Sequence, residues 1–239
     1  MCDVSVADNP ISARWIHLLM STTEQPVILS ACRTPIGSFG GSLRNLGAAD
    51  LGGVVVRAAV RRAGVDGSDI DDVILGCVLQ AGNGMNVARQ AALGAGLPHD
   101  VPAQTVNRVC GSGLQAVVHA VEAIRGGYAR LVVAGGTESM TNAPYLLRHA
   151  RWGQRMGNGE TIDSILSEGL TCAINGCHMG MTAEEMATQF SIGRAEQDTY
   201  AAESQQRAAR AVVEGRFKDE IVSVDIADRK NPGAMFPHR

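Results

Sequence analysis

Val106-Asn107-Arg108-Val109-Cys110-Gly111-Ser112-Gly113-Leu114 reads as a strand running straight into a glycine-rich turn and then a helix. Such a turn displays its central side chain at the C-terminal edge of a sheet, where open α/β folds place their ligands. Gly111 and Gly113 carry no Cβ, so a substrate can come close to the backbone N–H groups there. A thiol at that position sits at a helix N-terminus, whose unpaired N–H groups and dipole favour negative charge by up to about 2 kcal/mol. That activates a sulfur without supplying a proton acceptor, so Cys110 as a nucleophile still requires a base.

Working outward, residues 27–31 form a short apolar strand closed by Arg33-Thr34-Pro35, and Leu51, Val54, Val55, Ala58 and Ala59 recur at helical spacing before a stop at Gly64. Residues 73–79 are a β-branched run, and residues 87–93 an Ala-rich helix ended by Gly94 and Gly96. A strand over 101–109 is followed by a helix with Leu114, Val117, Val118, Val121 and Ile124 along one side. Gly126-Gly127 ends that helix, and residues 131–134 form the next strand. This alternation predicts an α/β fold, a mostly parallel sheet with helices on both faces.

After Gly136 no clear strand follows until Ile221. Thr182-Ala183-Glu184-Glu185 is a capping-box pattern that starts one helix, and residues 195–213 form a longer one stopped by Gly215. The section is expected to be a helical and loop insertion rather than another turn of the sheet. Residues 1–24 show no periodicity, Met20 offers an alternative start, and residues 231–239 have no structural logic of their own.

Lys plus Arg number 21 against 24 Asp plus Glu, a net charge of -3, so no basic surplus points to nucleic acid or an anionic membrane. Aromatic residues make up 4%, so the core must come from Val, Leu, Ile, Ala and Met, with abundant Gly and Ala allowing close packing. The six cysteines are dispersed in a chain too long to need disulfide staples, which predicts reduced thiols and a cytoplasmic setting. Cys172, Cys177 and His178 have an unusual spacing for zinc and no second ligand pair, so no metal is expected. No apolar run approaches the roughly 20 residues of a membrane span, and residues 15–20, interrupted by His17, make a poor signal peptide.

No histidine identifies itself as the base. His119 lies on the same helix as Cys110, on the order of 13 Å along its axis and on another side. His99 precedes the strand and belongs at the far end of the sheet, and His17 and His238 sit in the unpatterned ends. His149 and His178 remain, in the insertion. A competing reading makes Cys110 a small buried hydrophobe, the commonest use of a free cysteine. Phosphate binding at the glycine turn is disfavoured, because its spacing fits neither the P-loop nor the dinucleotide fingerprint.

These residues resemble the thiolases, the acetyl-CoA C-acyltransferases, over about residues 26–230. VILSACRTPIGSFGGSL (27–43) is similar to the family's first strand and loop, and VNRVCGSGLQA (106–116) to the segment with the acylated cysteine. GGTESMTNAPY (135–145), HMGMTAEEMA (178–187) and GRFKDEIV (215–222) follow in the family order. The resemblance implies the N-terminal half of a thiolase: a mostly parallel mixed sheet with helices on both faces, plus a helical and loop insertion, the second half being absent. The implied division is an N-terminal extension (1–24), an α/β domain (25–140), an incomplete CoA-binding loop domain (141–230) and an atypical tail (231–239).

By the same resemblance Cys110 would take the acyl group of an acyl-CoA, its own N–H helping to hold the oxyanion. Leu170, His178 and Met179 match positions lining the pantetheine and acyl pocket. Cofactors are none, with CoA thioesters as substrates and a homodimer or homotetramer as the assembly of a full-length chain. The family's Gly-His-Pro histidine, asparagine motif and Cys-x-Gly-Gly-Gly cysteine do not occur here. A truncated chain, inactive alone, is therefore expected. Two rivals are a carrier-dependent ketoacyl synthase, against which the CRTP and HMGMTAE motifs speak, and a non-catalytic remnant that only associates with thiolase subunits.

Overall fold

The computed structural model describes residues 25–226 and the backbone of Ala234–Phe236; the extension 1–24 with its alternative start, and His238, lie outside the described residues. At its centre β1 (Asp72–Gly76) pairs in parallel with β2 (Ala103–Val106) on one side and β3 (Val132–Gly136) on the other. Both edges and both faces of β1 are covered, which is why it reads as an unbroken apolar run. Val73 and Leu75 pack on one face with Val56, Ala88 and Ala91, and Ile74 on the other with Ala116 and Ala120, as the two-residue strand period requires. Full burial of each large member stabilises by about 1.5–3 kcal/mol.

One face is covered by α1 (Ala48–Ala63) and α2 (Val87–Gly94), the other by α3 (Ser112–Arg125). The small residues do what composition predicted. A Cβ on Gly52 would stand 3.0 Å from Ala91 Cβ, so α1 and α2 meet almost backbone to backbone. The Asp50 carboxylate accepts the Gly47 N–H at 2.9 Å at the start of α1, and Gly64 ends it in the left-handed region at φ 68. Asn86 Oδ1 accepts the Arg89 N–H at 3.1 Å to cap α2.

Three expectations need correction. The side of α3 turned to the sheet carries Ser112, Ala116 and Ala120, while Leu114 is 72% exposed and Val117 and Val118 are partly so. The sheet approaches so closely at Gly76 and Gly136 that only small side chains fit between. Residues 27–31 are not a strand among the described residues: Val27, Ile28 and Leu29 are exposed, and the segment is tied to α1 by Ser30 Oγ donating to Ala59 O at 2.7 Å and Arg62 to Ala31 O at 3.3 Å. No described strand lies alongside to satisfy its backbone. Its continuation at Arg33 does find a partner, forming a single parallel bridge to Ile221.

The insertion holds a small antiparallel pair, β4 (Tyr145–Leu146) and β5 (Ile162–Asp163), a π-helical turn over Ile165–Leu170, and the helices α4 (Met179–Gln189) and α5 (Arg194–Val213). Neither helix buries a residue. The third correction concerns the start of α4. His178, not Thr182, is the cap, its Nδ1 accepting the Gly180 N–H at 3.0 Å, so the helix begins a turn earlier than the capping-box pattern implies. In the tail, where the sequence offers no pattern, β7 (Ala234–Phe236) pairs antiparallel with β6 (Val224–Ile226).

Candidate functional site

Cys110 sits between β2 and α3 and is exposed, so the competing reading of a buried hydrophobe does not hold. Its turn is held by short-range bonds. Asn107 Oδ1 accepts the Val109 N–H at 2.9 Å, Ser112 Oγ donates to Val109 O at 2.6 Å, and the Arg108 N–H donates to Ser112 Oγ at 2.8 Å. Arg108 also reaches Gln115 on the first turn of α3. Between these braces Val109 is forced to φ 49, a left-handed conformation that a β-branched residue rarely adopts. Such strain costs of order 1–3 kcal/mol and persists only where the surroundings over-determine it.

What lies beneath the turn is bare backbone. Gly76 and Gly136 are register partners at the C-terminal ends of β1 and β3. A Cβ on Gly76 would fall 2.4 Å from Ser112 C and 2.6 Å from Gly113 N, and one on Gly136 3.2 Å from Gly113 Cα. These two glycines seat the start of α3 on the sheet edge, with Cys110 just before it.

A carboxylate ties the neighbouring loops together. Glu138 accepts the Val78 N–H at 2.8 Å and the Leu79 N–H at 3.2 Å, and Asn107 Nδ2 donates to Val78 O at 3.3 Å. The loops after β1 and β3 are thereby joined to the Cys110 turn. Cys77 is buried beside Glu138, and its thiol is pushed up to about 12, first by burial and then by the carboxylate's charge and hydrogen bond. Sulfur chemistry at neutral pH is closed to Cys77, whereas Cys110 alone among the described cysteines is exposed, Cys77 being buried and the others half-buried. Sequence reasoning missed Asn107, Glu138, Gly76 and Gly136. The signals were an Asn two residues before a strained position and a glycine ending each of two strands.

The other predicted site residues form a separate group. An antiparallel bridge between Thr171 and His178 lays the chain leaving Leu170 beside the chain entering Met179, so Leu170, His178 and Met179 are gathered at one hairpin. Among the described residues no hydrogen bond runs from this hairpin to the Cys110 turn, and no histidine bonds to Cys110. No group of three or more His, Cys, Asp or Glu side chains among the described residues has the geometry to hold a metal ion, and no described helix is long and apolar enough to cross a membrane.

The profile of the thiolase N-terminal domain matches residues 26–237, running past Lys230, where the motif resemblance stopped. An acetyl-CoA acetyltransferase of Syntrophomonas wolfei is 51% identical over 210 residues, 87% of this chain and 53% of the relative. One from Escherichia coli is 52% identical over 205 residues, 85% of this chain and 52% of the relative. The crystal structure of the Bacillus anthracis acetyl-CoA acetyltransferase superposes with a TM-score of 0.83 at 42% identity, covering 86% of this chain and 52% of that one. The chain spans about half the length of the curated relatives it matches. With the strand-turn-helix around Cys110, the parallel sheet and the family profile in agreement, the chain belongs to the thiolase family and comprises its N-terminal domain.

Proposed function

We propose that Cys110 is the acyl acceptor of an acyl-CoA acyltransferase. Its sulfur attacks the thioester carbonyl, the C–S bond to CoA breaks, CoA leaves as a thiol, and the acyl group stays on Cys110 as a new thioester. The Cys110 N–H donates to the oxyanion during that step. The enolate of a second acyl-CoA then takes the acyl group in a Claisen condensation; the reverse is thiolysis of a 3-ketoacyl-CoA. The observation that carries this reading is an exposed thiol on a turn held by Asn107 and Ser112 and seated over two glycines. The names of the relatives favour an acetyl group.

In this reading residues 25–140 supply the nucleophile, and Leu170, His178 and Met179 of the 141–230 segment wall the pantetheine and acyl groups. CoA thioesters are substrates and no further cofactor takes part. For a full-length chain, a homodimer or homotetramer in the cytoplasm, serving fatty acid metabolism, is the setting it implies. Among the described residues no base bonds to Cys110, and each unassisted proton transfer costs typically 10² to 10⁴ in rate, so these residues are expected to support acylation at Cys110 rather than sustained turnover.

Incubation with acetyl-CoA followed by intact mass measurement tests this. One acetyl adduct, absent from Cys110→Ser, is expected. A chain that stays unmodified under conditions where Cys110 still reacts with iodoacetamide refutes the proposal and leaves the non-catalytic associating remnant as the better reading.

A further inference from the structure

Cys172 and Cys177, which the acyl-transfer reading leaves unused, lie opposite each other in the hairpin that carries His178 and Met179. The Thr171–His178 bridge sets the register, and the Cys172 N–H donates to Cys177 O at 2.9 Å, which makes the two cysteines a directly facing antiparallel pair. Directly opposed antiparallel residues have Cα atoms about 4.5–5.5 Å apart and side chains on the same side of the ribbon; here one of the two backbone bonds is made, the Cys177 N–H donating instead to Asn175 Oδ1 at 3.2 Å. A disulfide requires Cα atoms roughly 4.4–6.8 Å apart, a range that this facing register meets. The turn is closed by the Gly176 N–H donating to Cys172 O at 2.8 Å, with Gly176 itself left-handed at φ 71.

Both sulfurs also converge on one residue. Cys177 Sγ lies 3.0 Å from Asn175 Oδ1 and 3.7 Å from Thr182 Oγ1, and the backbone N–H groups of the turn, Asn175 first and then Ile174, favour negative charge on the Cys172 sulfur. The Cys172 pKa is thereby lowered, and a thiolate is the attacking species in disulfide exchange. Both cysteines are partly open to solvent, so a small oxidant can reach them.

We propose that Cys172 and Cys177 form a reversible disulfide that staples the hairpin, with a low-molecular-weight disulfide such as oxidised glutathione as the oxidant. The Cys172 thiolate attacks the small disulfide, a bond forms between Cys172 and one of its sulfurs, and the other leaves as a thiolate. The Cys177 thiol then loses its proton and attacks Cys172 Sγ, expelling the second small thiolate. The protein loses two electrons and two protons, and the small disulfide gains both as two thiols. Any consequence for acyl-CoA at His178 and Met179 rests on the acyl-transfer reading, whereas the disulfide itself does not.

The test is equilibration of the full chain in glutathione buffers from fully reduced to fully oxidised, then alkylation, trypsin digestion and mass measurement. The tryptic peptide after Arg155 and ending at Arg194 contains both cysteines. In oxidising buffer it is expected to lose both alkyl groups together and to weigh two hydrogens less than the free dithiol peptide. Cys172→Ser and Cys177→Ser should each lose that species and carry one glutathione on the remaining cysteine. A peptide that keeps two alkylatable thiols in the most oxidising buffer, takes up two glutathiones, or is linked to the Cys110 peptide overturns the proposal. Acetyl labelling of Cys110 in the fully reduced sample, where no glutathione occupies it, reads the acyl-transfer proposal separately: its absence there, with the 172–177 bridge formed in the oxidised sample, refutes that reading alone.

Discussion

Replacing Gly76 by alanine probes directly how the Cys110 turn is seated. The new methyl would stand 2.4 Å from Ser112 C, 2.6 Å from Gly113 N and 2.7 Å from Ser112 Cβ, in a position that is otherwise buried. Carbon contacts are comfortable at about 3.5–4.0 Å, so α3 must retreat by roughly 1 Å. The atoms in the way are helix backbone, not the end of a flexible side chain, so rotamer change cannot relieve the clash. Overpacking of this kind costs about 1–3 kcal/mol, and here the upper end applies. At about 3 kcal/mol the folded-to-unfolded ratio drops more than a hundredfold, and the melting temperature drops by about 10 °C for a chain of this size. Two neighbours calibrate the effect. On Gly136 the Cβ meets Gly113 Cα at 3.2 Å and Gly76 O at 3.3 Å, which predicts a cost near 1 kcal/mol. On Gly135 it meets only Leu75 Cδ2 at 3.9 Å, so Gly135→Ala should be neutral or stabilise by about 0.5 kcal/mol through the unfolded chain. Urea unfolding followed by far-UV circular dichroism gives the three values, and iodoacetamide labelling of Cys110 reports the displaced turn. Gly76→Ala and Gly135→Ala of equal stability, within about 0.5 kcal/mol, would show that α3 does not rest on the sheet backbone as described.

Two further outcomes follow from the same site. Val109 is 53% exposed, so little burial is lost on replacing it, and asparagine tolerates the left-handed conformation that strains valine. Val109→Asn should therefore raise the urea-derived stability by about 1 kcal/mol, and a loss would mean that Val109 is not strained. Cys77 gives a pH signature: its thiol has an ordinary value of 9.0 when unfolded and about 12 when folded, so the folded state retains a proton that the unfolded state releases. Stability is fully present below pH 9 and falls through the window up to 12 by about 1 kcal/mol per pH unit. Urea midpoints at pH 8 and pH 10 should separate by more in the wild type than in Cys77→Ala; parallel behaviour would disprove the assignment.

Local signals decided much of what could be read before any coordinates. Helical periodicity placed α1 and α3, Ala-rich runs placed α2 and α5, and Gly64, Gly96, Gly127 and Gly215 marked their ends by adopting the left-handed backbone that glycine permits. The passage from strand through glycine turn to helix located Cys110, because cap, turn and apolar run all lie within a few residues. Which surfaces meet is a different matter, since it depends on residues distant in the chain. Periodicity could give α3 an apolar side in Leu114 and Val117, but the approach of Gly76 and Gly136 from two other segments selected Ala116 and Ala120 for the interior. A short apolar run at 27–31 has strand character, yet a strand is made by a partner's hydrogen bonds, and none of the described segments offers them. Only the folded hairpin makes Cys172 and Cys177 neighbours with facing backbone, because register is set by the Thr171–His178 bridge and not by their separation in sequence.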